Sequence, residues 1–335
     1  MTELAGVEVP VHVMVGEHVG RRQTSTSLAH RVSRDIASAE RHDLGGGLAV
    51  LGIEATLRLL ALELPLPHLA LMVMEACGTY AVPCETVRYR TVLQELLESG
   101  IVSASEQAAR TDHIREYRDT RGRPTGFYGT DGEPIPWEIC FDTQGRPQNL
   151  WRRPPLTSVE ELGAYAAASK GKRGASALAK AVARCADGSA SPLETKMYLL
   201  LCLDIWNGGE GWPKPSLNQR IDFSEGARLL APTRYAVADL LWPERMACIE
   251  VNGRAYHADR DRFDIESGRT AALESMGYRV LNITYDQMSD FDKLETMLET
   301  FAAALGIPLQ KRTRAFIERK RRLHDALFGS KTGFR

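Results

Sequence analysis

Residues 234–253 have the sequence RYAVADLLWPERMACIEVNG, in which two apolar segments flank Pro243 and Glu244. Apolar segments of this length on either side of a turn signal predict a β-hairpin. We therefore predict the other elements of the C-terminal half from their positions around this hairpin.

The segments around this hairpin alternate between helix and strand patterns. SPLETKMYLLLCL begins at Ser191, an N-cap residue, and predicts a helix, whereas GGEGWPKPSLN at 208–218 is expected to be a loop. Beyond the hairpin we expect a helix over 262–276, a strand over 278–284 and a helix from about Asp286. The order of helix, strand, strand, helix, strand and helix predicts an α/β class, with a mixed sheet flanked by helices.

Two acidic residues interrupt the apolar strands of the hairpin. Side chains alternate along a strand, so Cys248, Glu250 and Asn252 share one face. Asp239 interrupts the preceding strand, and the turn brings it towards Glu250. Converging carboxylates repel, and a divalent cation such as Mg²⁺ relieves that repulsion with oxygen ligands. A salt bridge to a nearby arginine is the alternative that the spacing leaves open.

Two further residues have a structural and a chemical interpretation. His257 could relay a proton or orient a water molecule, although a single histidine is usually a surface or capping residue. Glu194 stands three residues after Ser191, which is the spacing of a capping box, and it could also face a metal ion.

The order of these motifs resembles the PD-(D/E)XK nuclease superfamily, in the branch of very-short-patch-repair endonucleases. The resemblance covers about 191–288 and rests on the S-x-x-E helix, the GG-x-x-x-P-x-P-x-x-N loop, ADLLWPE, EVNG and the residues that follow. More loosely, the chain is similar to bacterial abortive-infection proteins of the type IV antitoxin-like class. The resemblance implies a restriction-endonuclease-like mixed sheet.

The resemblance also implies a role for each matching residue. Asp239 and Glu250 become the metal ligands, Glu194 an accessory acid, and His257 a catalytic or phosphate-contacting histidine. Asp264 and Arg269 would support it. The lysine of the superfamily is Asn252 here, which would orient substrate or water. A neutral amide stabilises negative charge less well than lysine does, and His257 compensates in this interpretation.

Basic residues concentrate at the C-terminal end of the chain. Residues 311–335 hold nine Lys or Arg and two acidic residues, whereas the whole chain has a net charge of −1. This pattern indicates either a solvated helix or contacts with a polyanion such as DNA. The candidate phosphate-binding residues are Lys170, Lys172, Arg173, Lys311, Arg312, Arg314, Arg319, Lys320, Arg321 and Arg322.

The N-terminal part has a different composition. Residues 1–155 are expected to form a mainly helical domain with a short β element, a candidate surface for a protein partner. Residues 121–155 hold five Gly and six Pro, which predicts a loop-rich connection. The endonuclease-like domain follows at 156–310 and a basic helix or tail at 311–335.

The sequence also predicts the compartment. No run of about 18 apolar residues occurs, no signal peptide is recognisable, and none of the six cysteines forms a CxxC pair. These features predict a cytoplasmic protein with reduced thiols and no membrane partner.

Two functions remain in competition at this point. The first is a DNA endonuclease that uses Mg²⁺ or Mn²⁺, with Asp239 and Glu250 as ligands and His257 assisting. The alternative is a catalytically inactive DNA-binding protein with the nuclease fold, acting as a regulator or antitoxin-like protein.

Overall fold

The computed structural model describes most of the chain from residue 48 onward and shorter segments before it. The described residues are 11–15, 24–31, 36, 40–45, 48–83, 86–99, 115–118, 124–128, 138–142, 145–253 and 260–329. His257 lies outside these ranges. Asp264 lies within a described helix, but its side chain is outside the description.

A four-stranded mixed sheet forms the centre of the C-terminal half. Its strands, in spatial order, are β10 (Ser216–Asp222), β11 (Tyr235–Trp242), β12 (Ala247–Asn252) and β13 (Arg279–Thr284). β11 is antiparallel to both of its neighbours, β10 and β12, whereas β13 runs parallel to β12. The α/β class and the hairpin at Pro243 are confirmed.

The expected loop at 208–218 is wrong at its C-terminal end. Its last three residues begin β10, so the sheet has one strand more than the sequence predicted. Asn218, the last residue of that predicted loop, lies inside this strand with a φ of 47°.

Helices surround the sheet. They are α4 (Val159–Ala168), α5 (Ala175–Val182), α6 (Pro192–Cys202), α7 (Arg260–Ser275), α8 (Tyr285–Ser289), α9 (Phe291–Leu305) and α10 (Arg314–Phe328). Ser191 caps α6, because its side chain accepts a hydrogen bond from the Glu194 amide. The basic segment forms α10, with Thr313 as its N-cap.

The part before residue 155 contains more strand than the single short β element expected there. Its strands are β1 (Val11–Val15), β2 (Ser27–Arg31), β3 (Arg41–Gly45), β4 (Leu48–Leu51), β5 (Tyr80–Ala81), β6 (Arg115–Arg118), β7 (Pro124–Tyr128), β8 (Glu138–Phe141) and β9 (Pro147–Arg152). Its helices are α1 (Ile53–Leu60), α2 (Leu66–Ala76) and α3 (Val87–Glu98). Three of the strands, β7, β8 and β9, lie within the Gly- and Pro-rich connection.

Two hydrophobic clusters hold the described elements together. The larger core combines α1 and α2 with α4, α5, α6, α9, α10 and one face of the sheet. The smaller core lies between the opposite face and α7, and includes Ala236, Ala238, Leu241, Cys248 and Leu273. The larger core therefore continues across the predicted domain boundary near residue 155, a division that stays a prediction.

In the part of the chain that the structure describes, no helix combines the length and the apolar character needed to cross a bilayer.

Candidate active site

The sheet opens between β11 and β12 at the two predicted metal ligands. The strands pair from Leu240 opposite Ile249 to Trp242 opposite Ala247. Beyond Leu240, β11 pairs with β10, while β12 continues along β13. The Val251 amide donates its hydrogen bond to Asp239 Oδ2 at 2.7 Å. A carboxylate thus takes the place of a backbone acceptor where the strands separate.

Glu250 lies on the face of β12 that the alternation predicted. Cys248, two residues before it, packs in the smaller core, whereas Ile249 packs in the larger one. The Glu250 side chain is 7% exposed, and its Oε2 accepts a hydrogen bond from Arg269 Nη2 at 2.5 Å. Its Oε1 is buried and receives no hydrogen bond from an N–H or O–H group.

The electrostatics of Asp239 and Glu250 show that the two acids act on each other. Burial raises the pKa of Glu250 to about 7, and the charge of Asp239 raises it further against the opposing effect of Arg269. Burial also raises the pKa of Asp239 to about 6, although the Val251 hydrogen bond and Arg269 lower it. Near neutral pH the pair therefore binds a proton readily. Carboxyl groups do so when the neighbouring positive charge does not offset the effect of burial.

Glu194 lies at the start of α6, where Ser191 accepts a hydrogen bond from its amide, and its facing a metal ion stays a prediction. It stands in the first turn of α6, and its Oε2 accepts hydrogen bonds from the Ala190 amide at 2.8 Å and from Asn218 Nδ2 at 2.6 Å. Burial raises its pKa to about 8, and the charge of Asp239 is the next largest cause. Glu194 therefore tethers the start of the helix and also belongs electrostatically to the same group as Asp239. We call Glu194, Asp239 and Glu250 the acid site.

Sequence reasoning missed two residues at the acid site. The sequence places Asn218 only in a predicted loop. In the structure its side-chain amide donates to both Glu194 and the Gly188 carbonyl. Glu266 on α7 raises the pKa of both Asp239 and Glu250 through its charge. Its position three residues before Arg269 places both on one side of the helix, which is the signal that could have identified it.

The remaining predicted site residues have separate positions. Arg269 contacts Glu250 directly. Asn252 donates from Nδ2 to Asn282 Oδ1 at 3.2 Å, so its amide is engaged with the neighbouring strand β13. His257 and the side chain of Asp264 lie outside the described residues, and their roles stay predictions.

The carboxylate oxygens of the acid site can supply part of the coordination shell of a divalent cation, with substrate oxygens as the remaining ligands. Within the described ranges, no group of three or more His, Cys, Asp or Glu is arranged to hold a metal ion. Two carboxylates with one orphaned buried oxygen match the way proteins bind Mg²⁺, through one or two carboxylates together with phosphate oxygens and water. The chemistry of Asp239 and Glu250 is thus compatible with the expected cofactor.

Two of the predicted phosphate-binding residues pair with internal acids, and their role in DNA binding stays a prediction. Lys320 is 1% exposed and its ammonium pairs with Glu210 and Glu295. Arg312 pairs with the same two acids at 2.9 Å and 3.0 Å. Burying the Lys320 charge requires such pairing, whereas the Arg312 side chain is 26% exposed.

The other predicted basic residues lie closer to solvent. Lys170, Arg173 and Lys311 are exposed, while Lys172 lies 3.7 Å from Glu40. On α10, three further arginines are exposed, and each contacts an acidic side chain or a backbone carbonyl. Arg314 contacts Glu318, Arg321 contacts Asp292 at 3.3 Å, and Arg322 donates to the Glu318 carbonyl. Arg319, the last of the predicted set, lies beside Trp206.

Comparisons of the chain with protein-family models, with curated proteins and with solved structures gave no match.

Proposed function

We propose that the chain is a metal-dependent DNA endonuclease whose active centre is the acid site. The observation that carries the proposal is the buried Oε1 of Glu250, which accepts no N–H or O–H hydrogen bond, beside Asp239 at the point where the sheet opens. An orphaned carboxylate oxygen in the interior is costly, and ligation of a cation offsets that cost.

Each residue of the acid site has a role in this proposal. Asp239 and Glu250 hold the cation, which, when bound, polarises a phosphodiester and supplies an activated water. Glu194 is the accessory acid of this proposal, and burial and the charge of Asp239 raise its pKa to about 8. Arg269 fixes the orientation of Glu250 through Oε2 and leaves Oε1 to the cation. His257 stays the predicted residue for proton transfer to the leaving oxygen.

Asp239→Asn is the sharpest test, because an amide oxygen can still accept the Val251 hydrogen bond. We expect this variant to be as stable as the wild type in EDTA, since it removes a repelling charge. It should lose the rise in thermal unfolding temperature that Mg²⁺ or Mn²⁺ gives the wild type. Nicking of supercoiled plasmid should fall by at least about 100-fold, the scale of losing one preorganised electrostatic contact.

Asp222→Asn is the matched control. Asp222 ends the adjacent strand β10, is exposed, and pairs with Arg220 at 2.6 Å. This variant should keep the cation response and the nicking activity. If Asp239→Asn also keeps both, the acid site does not hold the metal and the proposal is wrong.

Specific observations favour the second candidate, a DNA-binding protein with an inactive nuclease fold. Arg269 already neutralises Glu250, and Asn252 stands at the position of the superfamily's lysine with its amide turned to Asn282. This candidate predicts no nicking with any divalent cation, together with salt-sensitive DNA binding that survives Asp239→Asn.

A further inference from the structure

A groove lies between the N-terminal end of α2, the segment after α6, and the basic helix α10. Its volume is about 440 Å³, within the range of small-ligand sites. Pro65, His68, Trp206, Arg319 and Arg322 line it. We call it the Trp206 groove.

Trp206 is the unusual feature of this groove. Its side chain is 76% exposed, although tryptophan is normally well buried. The Arg319 guanidinium lies 5.4 Å from the centre of its ring and is held there by a hydrogen bond from Nε to the Ile205 carbonyl at 3.0 Å. A fixed cation beside an open indole forms a platform on which a flat aromatic group can stack.

The charges around the platform favour an anion. Arg322 is exposed on the next turn of α10, and Glu318, the acid in the lining, contacts Arg314 at 3.3 Å. The N-terminal end of α2 also faces the groove, and its N-cap Pro65 supplies no side-chain hydrogen bond. The first amides of a helix favour negative charge. His68 Nδ1 is buried in the lining without a hydrogen-bond partner, so the groove offers one more polar contact.

We propose that the Trp206 groove binds an unpaired nucleotide of single-stranded DNA. The base stacks on Trp206, and the adjacent phosphate pairs with Arg319 and Arg322. The inference rests on the proposed function for its nucleic-acid partner, but it requires no cleavage. It specifies single-stranded DNA as the form of DNA that the protein binds.

The position of the groove relates it to the acid site. Glu194 lies in the first turn of α6, and Trp206 follows the other end of that helix. A helix of 11 residues is about 16 Å long. The groove and the acid site therefore lie at opposite ends of this buried helix.

Fluorescence anisotropy in EDTA tests the inference without cleavage. The probes are a labelled thymidine dodecamer, the corresponding duplex, and a dodecamer of base-free sugar phosphates. We expect the wild type to bind the thymidine dodecamer more tightly than either of the others. Trp206→Ala should weaken that binding by about 5- to 150-fold, while Trp206→Phe should keep most of it. Neither variant should change binding of the base-free probe.

Tyr235→Ala is the matched control, because Arg220 lies 4.0 Å from the Tyr235 ring in a similar arrangement. Asp222 neutralises that arginine, so this variant should bind the dodecamer as the wild type does. Equal affinity for the base-free probe, or an unchanged affinity in Trp206→Ala, would overturn the inference. Plasmid nicking that depends on Asp239 would still support the proposed function in that case, so the two proposals can fail separately.

Discussion

At the scale of single residues, the acid site shows how a strand tolerates charge in its interior. Asp239 takes a backbone amide as its partner, Glu250 takes a guanidinium, and Glu194 takes an amide side chain and a helix-terminal N–H. These partners do not offset burial completely, because the pKa of each carboxyl group remains above its ordinary value. The carboxyl groups of the acid site therefore bind protons more tightly than exposed carboxyl groups do.

This excess of proton affinity predicts an unusual pH dependence. Each carboxyl group binds its proton more tightly in the folded chain than in the unfolded chain. The resulting stability is fully present below about pH 4 and is lost as pH rises through about 6 to 8. We expect the free energy of unfolding in EDTA to fall as the pH rises from 5 to 9. Urea unfolding across this range measures it.

Glu194→Gln should remove the upper part of this pH dependence, since glutamine does not titrate. The control is Glu299→Gln on α9, where the side chain is exposed. Saturating Mg²⁺ should also flatten the curve of the wild type, because the cation competes with the protons. A curve for Glu194→Gln that falls as steeply as that of the wild type would contradict the assignment.

Some residues of the acid site and its surroundings can be predicted from the sequence and others cannot, for a physical reason. Asp239 and Glu250 stand out because a carboxylate within an apolar strand is costly and visible by alternation alone. Asn218 and Glu266 lie in polar surroundings in the sequence, where nothing distinguishes them from solvent-facing residues. Their contribution depends on which strand and which helix pack beside the hairpin, and that is set by tertiary structure.

At the scale of elements, the same cause explains the missed strand β10. In a regular strand Leu217 and Ile221 would share a face, yet Leu217 belongs to the larger core and Ile221 to the smaller. The change of face occurs at Asn218, which adopts a left-handed φ opposite Asp239 in the strand register. Only polar residues stand between Leu217 and Ile221, so SLNQRID gives a weak strand signal. The irregularity turns the Asn218 amide towards Glu194.

The basic helix α10 has two distinct sides. Lys320 faces inward to Glu210 and Glu295, whereas exposed arginines such as Arg322 face solvent. The composition of 311–335 alone shows the excess of positive charge but not this division. It depends on the acids that α9 and the segment after α6 place beneath the helix.

This division predicts unequal effects of removing positive charge from α10. Lys320→Met leaves Glu210, which is 0% exposed, with Arg312 as its remaining cationic partner. We expect the free energy of unfolding to fall by about 3 kcal/mol, the scale of breaking a buried ion pair. Arg314→Ala, on the exposed side of the same helix, should cost less than about 0.5 kcal/mol. Equal losses in the two urea unfolding curves would contradict a stabilising role for the buried network.

At the scale of the whole molecule, the net charge of −1 conceals this arrangement. Part of the positive charge of the C-terminal end is used internally against Glu210 and Glu295. The basic surface left for DNA is correspondingly smaller than the sequence indicates, and includes the exposed arginines near the Trp206 groove. We therefore expect DNA contact to be local.

The extent of the larger core predicts that residues 156–335 do not fold without α1 and α2. In α2, Leu69, Val73 and Met74 are at most 1% exposed and lie in the same cluster as residues of α6 and α10. Polar contacts also cross residue 155, because Arg58 Nη1 donates to the Arg173 carbonyl at 3.0 Å. A fragment of residues 156–335 would expose these core surfaces, and each fully buried large apolar side chain contributes roughly 1.5–3 kcal/mol.

We expect this fragment to bind a hydrophobic dye and to unfold without a cooperative transition. A fragment of residues 52–335, which keeps α1 and α2, should unfold cooperatively. Circular dichroism melts of both fragments and of the full chain measure the difference. A cooperative melt of 156–335 close to that of the full chain would instead support an independent domain beginning at residue 156. The reason for expecting otherwise is that α2 is buried on several sides, so the sheet and its helices lack a complete core without it.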